Sequence, residues 1–492
     1  MADDGVPAET RPPGGPPPEH GPHPAATAVL LAGAAALGGF LFGYDSSVIN
    51  GAVGAIESEF GLGSVAVGLV VSSALLGCAA GAWFAGPMAD RYGRVRMMQI
   101  VSVVFVISSV GAALAFNAWD LTLWRVAGGL AIGAASVIAP AYIAEIAPAE
   151  LRGRLGSLQQ MAIVLGIFAA LVADYVIARV SDGGASGEFP WGGTAWRWMF
   201  ASAVVPAVFY GVIAATIPES PRYLVKKREL SRAREVLARV MGRGDVDTKI
   251  SEIVRSLARD RPVHLRDLRG DRFGLLPIVW VGILLSVFQQ FVGINVIFYY
   301  STSLWRAVGF SEQDAMLTSV INSLVNVVAT LLAIALVDKI GRRPLLLAGA
   351  AGMTVTLGIL TLCFTTSRVV DGEPALGDVA GPVALVAANL YVFAFAATWG
   401  PVVWVMLGEM FSNVIRASAL AVAAAAQWLA NWLITTTFPG LSGISLWLAY
   451  GVYTTFAVLA FFFVLRAVPE TKGRELEDMD QLKSPVRRRG VG

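Results

Sequence analysis

The chain has 492 residues, of which 56% are hydrophobic and 15% charged, and a mean hydropathy of +0.65. Soluble domains carry about 25% charged residues, so the composition excludes an ordinary soluble globular protein. A formal net charge of +2 gives no reason to expect a nucleic-acid partner.

Residues 1–26 are rich in Pro and Gly and are expected to form a disordered tail. No basic region precedes a short apolar segment, so no cleaved signal peptide is expected. Apolar stretches of about 20 residues then recur, as bilayer-spanning helices require. They predict spans at 27–52, 65–88, 97–116, 120–144, 155–177 and 198–217. After a long polar connection they resume at 274–302, 313–337, 344–365, 381–410, 418–437 and 443–466. The fold class expected is therefore an all-α membrane protein of twelve transmembrane helices. Its predicted parts are a first six-helix bundle over 27–220, a linker over 221–273, a second bundle over 274–466 and a tail over 467–492.

In the linker, Leu230, Ala233, Val236, Leu237 and Val240 repeat at helical spacing and predict short amphipathic helices. Arg91, Arg94, Arg96, Arg152, Arg154, Lys339, Arg342, Arg343 and Arg416 fall in alternate short connections, whereas Glu57, Glu59, Asp120, Glu312 and Asp314 fall in the opposite ones. The positive-inside bias puts both termini and the linker in the cytoplasm. Cys78 and Cys363 both lie in spans, where a thiol behaves as a small hydrophobe. There is no Asn-x-Ser/Thr sequon, which agrees with a bacterial cytoplasmic membrane.

The two halves echo one another. "ADRYGR" (89–94) answers "VDKIGRR" (337–343), Glu145 with Arg152 answers Glu409 with Arg416, and "PESPR" (218–222) answers "PETKGR" (469–474). The members of each pair are roughly 250–265 positions apart and in the same order. A repeated six-helix unit, with substrate handled between the halves, is a common secondary-transporter architecture.

These motifs, with "GYD" in span 1 and "QQFVGINVIFYY" (289–300), resemble the sugar-porter branch of the major facilitator superfamily. The likeness covers about residues 27–475 and is nearest to bacterial proton-coupled monosaccharide symporters, more distantly to facilitative glucose transporters. It implies a sugar site made of Gln160, Gln289, Gln290, Asn295, Asn326, Trp399, Gln427 and Trp428, with Phe42 and Asn431 as secondary contributors. The chemistry of these residues suits a neutral polyol. Amides offer a donor and an acceptor without charge, and indoles offer a flat apolar face with one N–H. A phosphorylated or carboxylated substrate would instead call for Arg or Lys. Gln289, Gln290 and Asn295 do not share a face of a regular helix, so Gly293 is expected to break span 7 and turn Asn295 inward. Gly400-Pro401 offers a second break point.

Asp45 lies well inside span 1, and Arg125 lies in the outer part of span 4 at comparable depth. Ionisable residues in membranes tend to pair or to line a polar cavity. Burial and a neighbouring guanidinium move a carboxyl pKa in opposite directions, so a site that alternately dehydrates takes up and releases a proton. The resemblance agrees, because symporters of this branch have aspartate at this position and facilitators typically have asparagine. Some relatives also carry a glutamate in span 6, where this chain has Ala203. The coupling ion is expected to be H⁺, with no other cofactor and no metal. The three histidines, His20, His23 and His264, have no metal-ligand spacing.

Asp90, Arg94, Glu145, Arg152, Asp338, Arg342, Glu409 and Arg416 fall at inner helix ends. They are expected to form a cytoplasmic gate, paired between the halves in the outward-facing state. Ala417 stands where relatives often have glycine. The predicted activity is proton-coupled uptake of a monosaccharide, D-glucose first, by a monomer in the bilayer. The alternatives are a facilitative uniporter, D-xylose or galactose as main substrate, and a transport-dead sugar sensor. An enzyme is not expected.

Overall fold

The computed structural model describes residues 24–147, 152–241, 246–259, 268–270, 274–370, 373–411 and 415–472. Among these residues, twelve segments are long and apolar enough to cross a membrane, as the sequence predicts. Spans 1 to 5 are the helices α1 (Pro24–Phe60), α2 (Ser64–Tyr92), α3 (Arg94–Ala113), α4 (Ala118–Ile146) and α5 (Arg152–Val180). Span 6 comprises α6 (Ala195–Ser202) and α7 (Val204–Thr216). The linker holds α8 (Pro221–Lys226), α9 (Leu230–Met241) and α10 (Val246–Arg259). Span 7 is divided into α11 (Pro277–Phe291) and α12 (Ile294–Arg306), and spans 8 and 9 are α13 (Glu312–Ile340) and α14 (Arg342–Thr365). Span 10 comprises α15 (Ala380–Ala394) and α16 (Gly400–Met410), and spans 11 and 12 are α17 (Arg416–Ile444) and α18 (Leu446–Ala467). An antiparallel hairpin of β1 (Arg368–Val370) and β2 (Glu373–Ala375) lies between spans 9 and 10. The all-α expectation did not include it.

Several helices outrun their predicted limits. Span 1 begins at Pro24, inside the predicted tail, and runs on to Phe60, because Val53, Ala55 and Ile56 are still buried. Caps fix other starts: the Asn117 side chain accepts from Asp120 N–H and Ser311 from Asp314 N–H, opening α4 and α13. In the linker, Ala233, Val236, Leu237 and Val240 are buried as predicted, but Leu230 is exposed. It opens α9, before the helix has turned onto α8 and α10.

An even number of spans leaves residues 24 and 472 at the same end of the bundle, here termed the near end. Small residues let helices approach closely. A Cβ on Gly43 of α1 would run into the carbonyl of Ile163 on α5, and one on Gly166 into that of Phe40. The hydrogen bonds described between the two sets of six spans lie at the opposite, far end. Asn50 Nδ2 donates to the Phe298 carbonyl (2.8 Å), and Asn50 Oδ1 accepts from Thr302 N–H (3.1 Å) and Oγ1–H (2.6 Å). Thr436 Oγ1 donates to Ser72 Oγ (2.7 Å). Glu312 Oε1 accepts the Ala185 N–H (2.9 Å).

Candidate functional site

Span 7 breaks where the mismatch of its amides predicts. Gly293 adopts φ 85° and ψ 18°, a left-handed conformation that glycine reaches without Cβ strain. The break turns Asn295 back toward the end of α11: its Nδ2 donates to Gln290 Oε1 (2.5 Å). Gln290 Nε2 reaches Gln289 Oε1 (3.4 Å), which also accepts Gln427 Nε2 from α17 (2.8 Å). Gln289 Nε2 in turn donates to the carbonyls of Trp399 (3.0 Å) and Gly400 (3.2 Å). Four of the predicted amides therefore form one connected set.

Span 10 does not break at Gly400-Pro401. It widens instead into a π turn over Phe395–Trp399 and continues as α16. Pro401 supplies no N–H to the carbonyl four residues earlier, and a π turn, frequent at functional sites, accommodates that loss. Trp399 is fully buried, and its Nε1–H is already given to the Leu346 carbonyl (2.8 Å). In this conformation it has neither exposed ring surface nor a free donor. Trp428 is half-buried and meets Phe42 of α1 edge-on at 5.7 Å, across the two halves. Asn431 is buried and accepts from Thr435 Oγ1 (3.2 Å). Asn326 is buried on α13, and Gln160 is half-buried on α5; no described hydrogen bond joins either to the amide set. The sequence reading overlooked Asn322, one turn before Asn326, whose amide is buried with neither atom partnered.

Asp45 and Arg125 do meet. Arg125 Nη1 lies 3.0 Å from Asp45 Oδ2 and 3.3 Å from its carbonyl oxygen, and both side chains are buried. The guanidinium also lies over the Phe200 ring at 5.8 Å. A small cavity of about 10 Å³ adjoins the pair, lined by Asp45, Ser46, Cys78, Arg125 and, from α12, Tyr299. That is about the space one water needs. Asn295 and Tyr299 are one helical turn apart on α12, so a single short helix borders both the amide set and the ion pair.

Among the described residues, the near-end ion pairs lie within each half. Arg94 Nη2 contacts Asp90 Oδ1 and Glu145 Oε1, both at 2.9 Å, and Ser220 Oγ donates to Glu145 Oε2. Arg342 grips Glu409 through Nε (3.0 Å) and Nη2 (2.7 Å), and Thr471 Oγ1 donates to the same carboxylate (2.6 Å). Arg416 bonds the Phe411 carbonyl instead of Glu409. The side chains of Arg152 and Asp338 lie outside the described residues. The expected pairing between halves belongs to a closed near end. Here the described bonds between halves are at the far end. Lys226 of the linker, unremarked in the sequence reading, bonds Asp90 at 3.0 Å.

Two further carboxylates brace these loops. Glu219 accepts N–H groups of Ser220, Arg94 and Val95. Burial outweighs them and pushes its carboxyl above the ordinary glutamate range. Burial also acts on Glu470, but the N–H groups of Lys472, Arg342, Arg343 and Thr471 prevail and hold it below that range.

Comparison with known proteins decides the family. The model of the family described as "Sugar (and other) transporter" matches residues 31–482. The chain belongs to that family. A glucose transport protein of Synechocystis sp. is 55% identical over 452 residues, covering 92% of this chain and 96% of that one. The D-xylose-proton symporter of Escherichia coli K12 is 39% identical, covering 92% and 94%. Among solved structures, the inward-open conformation of the xylose transporter XylE from E. coli superposes with a TM-score of 0.78 at 36% identity, covering 94% of this chain and all of that one. The fold is accordingly that of the major facilitator superfamily, and the chain is a multi-pass membrane transporter, not an enzyme.

Proposed function

We propose that this chain takes up a monosaccharide, D-glucose first, together with one proton by alternating access. The observation that carries the reading is the position of α12, which offers Asn295 to the amide set and Tyr299 to the cavity beside Asp45 and Arg125. Sugar bound to the amides pulls on the same short helix that borders the proton site, so occupancy at one biases solvation at the other. The amide set supports a neutral polyol, and the printed activities of the relatives, glucose transport and D-xylose–proton symport, support both substrate class and coupling.

Arg91, Arg94, Arg342, Arg343 and Arg416 are at the near end, which supports a cytoplasmic near end and cytoplasmic termini. On that orientation the far-end bonds close the outside, and the structure is inward-facing. One proton crossing about 100 mV releases roughly 2.3 kcal/mol, enough to hold a sugar gradient of about fifty-fold. The test is Asp45→Asn in proteoliposomes. Counterflow exchange is expected to persist, while uphill accumulation that uncouplers abolish is expected to disappear. Undiminished accumulation by the variant removes the proton role from Asp45.

A further inference from the structure

A second carboxyl is buried in the same half, and the coupling scheme does not use it. Asp174 of α5 is 1% exposed. Its Oδ2 accepts the Gly51 N–H of α1 at 3.2 Å, and its Oδ1 has no partner. The contact is tight, since a Cβ on Gly51 would lie 2.8 Å from the Asp174 Cβ.

Among the described residues, the charged and titratable groups on the elements packed around α5, Glu57 of α1 and Lys339 at the near end of α13 apart, are engaged elsewhere. On α1, Tyr44 bonds Ser202, Asp45 faces Arg125 of α4, and Glu59 pairs with Arg197 of α6. At the start of α13, Glu312 holds the Ala185 N–H and Asp314 bonds Ser311. On α5 itself Arg179 bonds the Tyr175 hydroxyl. None of them forms an ion pair with Asp174. An ionised carboxylate here would keep a single long N–H bond in a dry seam, whereas the neutral acid avoids burying an unpaired charge.

The seam lies toward the far end, because Asp174 is six residues before the end of α5 at Val180. Gly51 directly follows Asn50, and Asn50 is the residue that binds α12 at Phe298 and Thr302. Resting on the orientation proposed above, we infer that Asp174 is a second protonation site, ionised and in contact with outside water while the outer cleft is open, and protonated and sealed as the neutral acid when Asn50 closes on α12. The carboxylate takes H⁺ from external water on closing and returns it there on reopening. It therefore delivers no proton to the cytoplasm, and its effect is that external acid favours closure.

Infrared spectroscopy of the purified full-length chain at neutral pH tests this directly. The wild type is expected to show a protonated-carboxyl C=O band that Asp174→Asn removes and Asp45→Asn retains. If Asp174→Asn does not yield folded protein, Asp174→Glu should shift the band. A spectrum indifferent to both substitutions overturns the inference. In proteoliposomes of Asp45→Asn, counterflow is expected to slow as external pH rises, and Asp45→Asn/Asp174→Asn to lose that dependence. The same dependence in the double variant also overturns it. Neither result bears on whether Asp45 couples transport, which the accumulation assay reads separately.

Discussion

Arg94 and Arg342 open their helices in the same way, each after a glycine with strongly positive φ, 99° at Gly93 and 104° at Gly341. Each reaches a glutamate at the end of the next span, and a hydroxyl after two further spans completes the cluster. The surroundings differ. In the first half the Glu145 side chain is 13% exposed and Arg94 divides one nitrogen between Glu145 and Asp90. The linker covers the site: Tyr223 lies under the Arg94 guanidinium at 5.9 Å, and Lys226 bonds Asp90. In the second half the Glu409 side chain is 32% exposed and is held by Arg342 through two nitrogens. One cluster is built into the body of its bundle and the other stays near water. A repeated motif thus preserves geometry while burial, and with it energetic weight, diverges.

Removing the two glutamates should separate the clusters most. The two arginines are equally buried, so the contrast lies in the carboxylates: Glu145→Ala removes the drier one, although Arg94 keeps Asp90, and is expected to cost about 3 kcal/mol, whereas the wetter Glu409→Ala should cost about 1 kcal/mol. Thermal unfolding in detergent measures both, and equal losses would break the contrast. Next come the glycines. Alanine at either forces an L-residue into a region worth about 1–3 kcal/mol of strain. Gly93→Ala should be the worse, because its Cβ would strike the Glu219 carboxylate, while at Gly341 the nearest Glu470 oxygen stays 2.9 Å away.

The smallest effect is in pH. Glu470, held below its ordinary value, contributes stability that is present above the unfolded value and is lost as pH falls through the folded one. Glu219, pushed above its ordinary value, contributes stability only at low pH, and loses it as pH rises through the folded value. Glu470→Gln should therefore destabilise at neutral pH, with the deficit closing toward about pH 4. Glu219→Gln should not destabilise at neutral pH. Melting curves of both variants across this range check the sign.

Much of this was legible in the sequence because it depends on local rules. Span length follows from bilayer thickness, and the break at Gly293 follows from three amides that cannot share one helical face. The Asp45–Arg125 contact followed from matched depth in antiparallel helices. What escaped depends on rotation and on conformational state. Depth alone could not say that Trp399 turns its N–H onto Leu346, or that Arg94 and Arg342 pair within their own halves. Asp174 was visible as a carboxylate in "LVADYVIARV", the same signal that singled out Asp45, but no cation at matching depth drew attention to it. Asn50, five residues after the GYD motif, had no partner until α12 was in place.

The far-end link between Glu312 and residue 185 has a consequence for sequence drift. The carboxylate holds a peptide amide, not a side chain, so any residue small enough for the buried 185 position, except proline, supplies the same donor. The neighbour is less free: a Cβ at Gly184, itself at φ 72°, would sit 2.5 Å from a Glu312 oxygen. The loop between spans 5 and 6 thus keeps its hold on α13 through drift in its sequence as long as one bare glycine and one small residue with an unblocked amide survive in it.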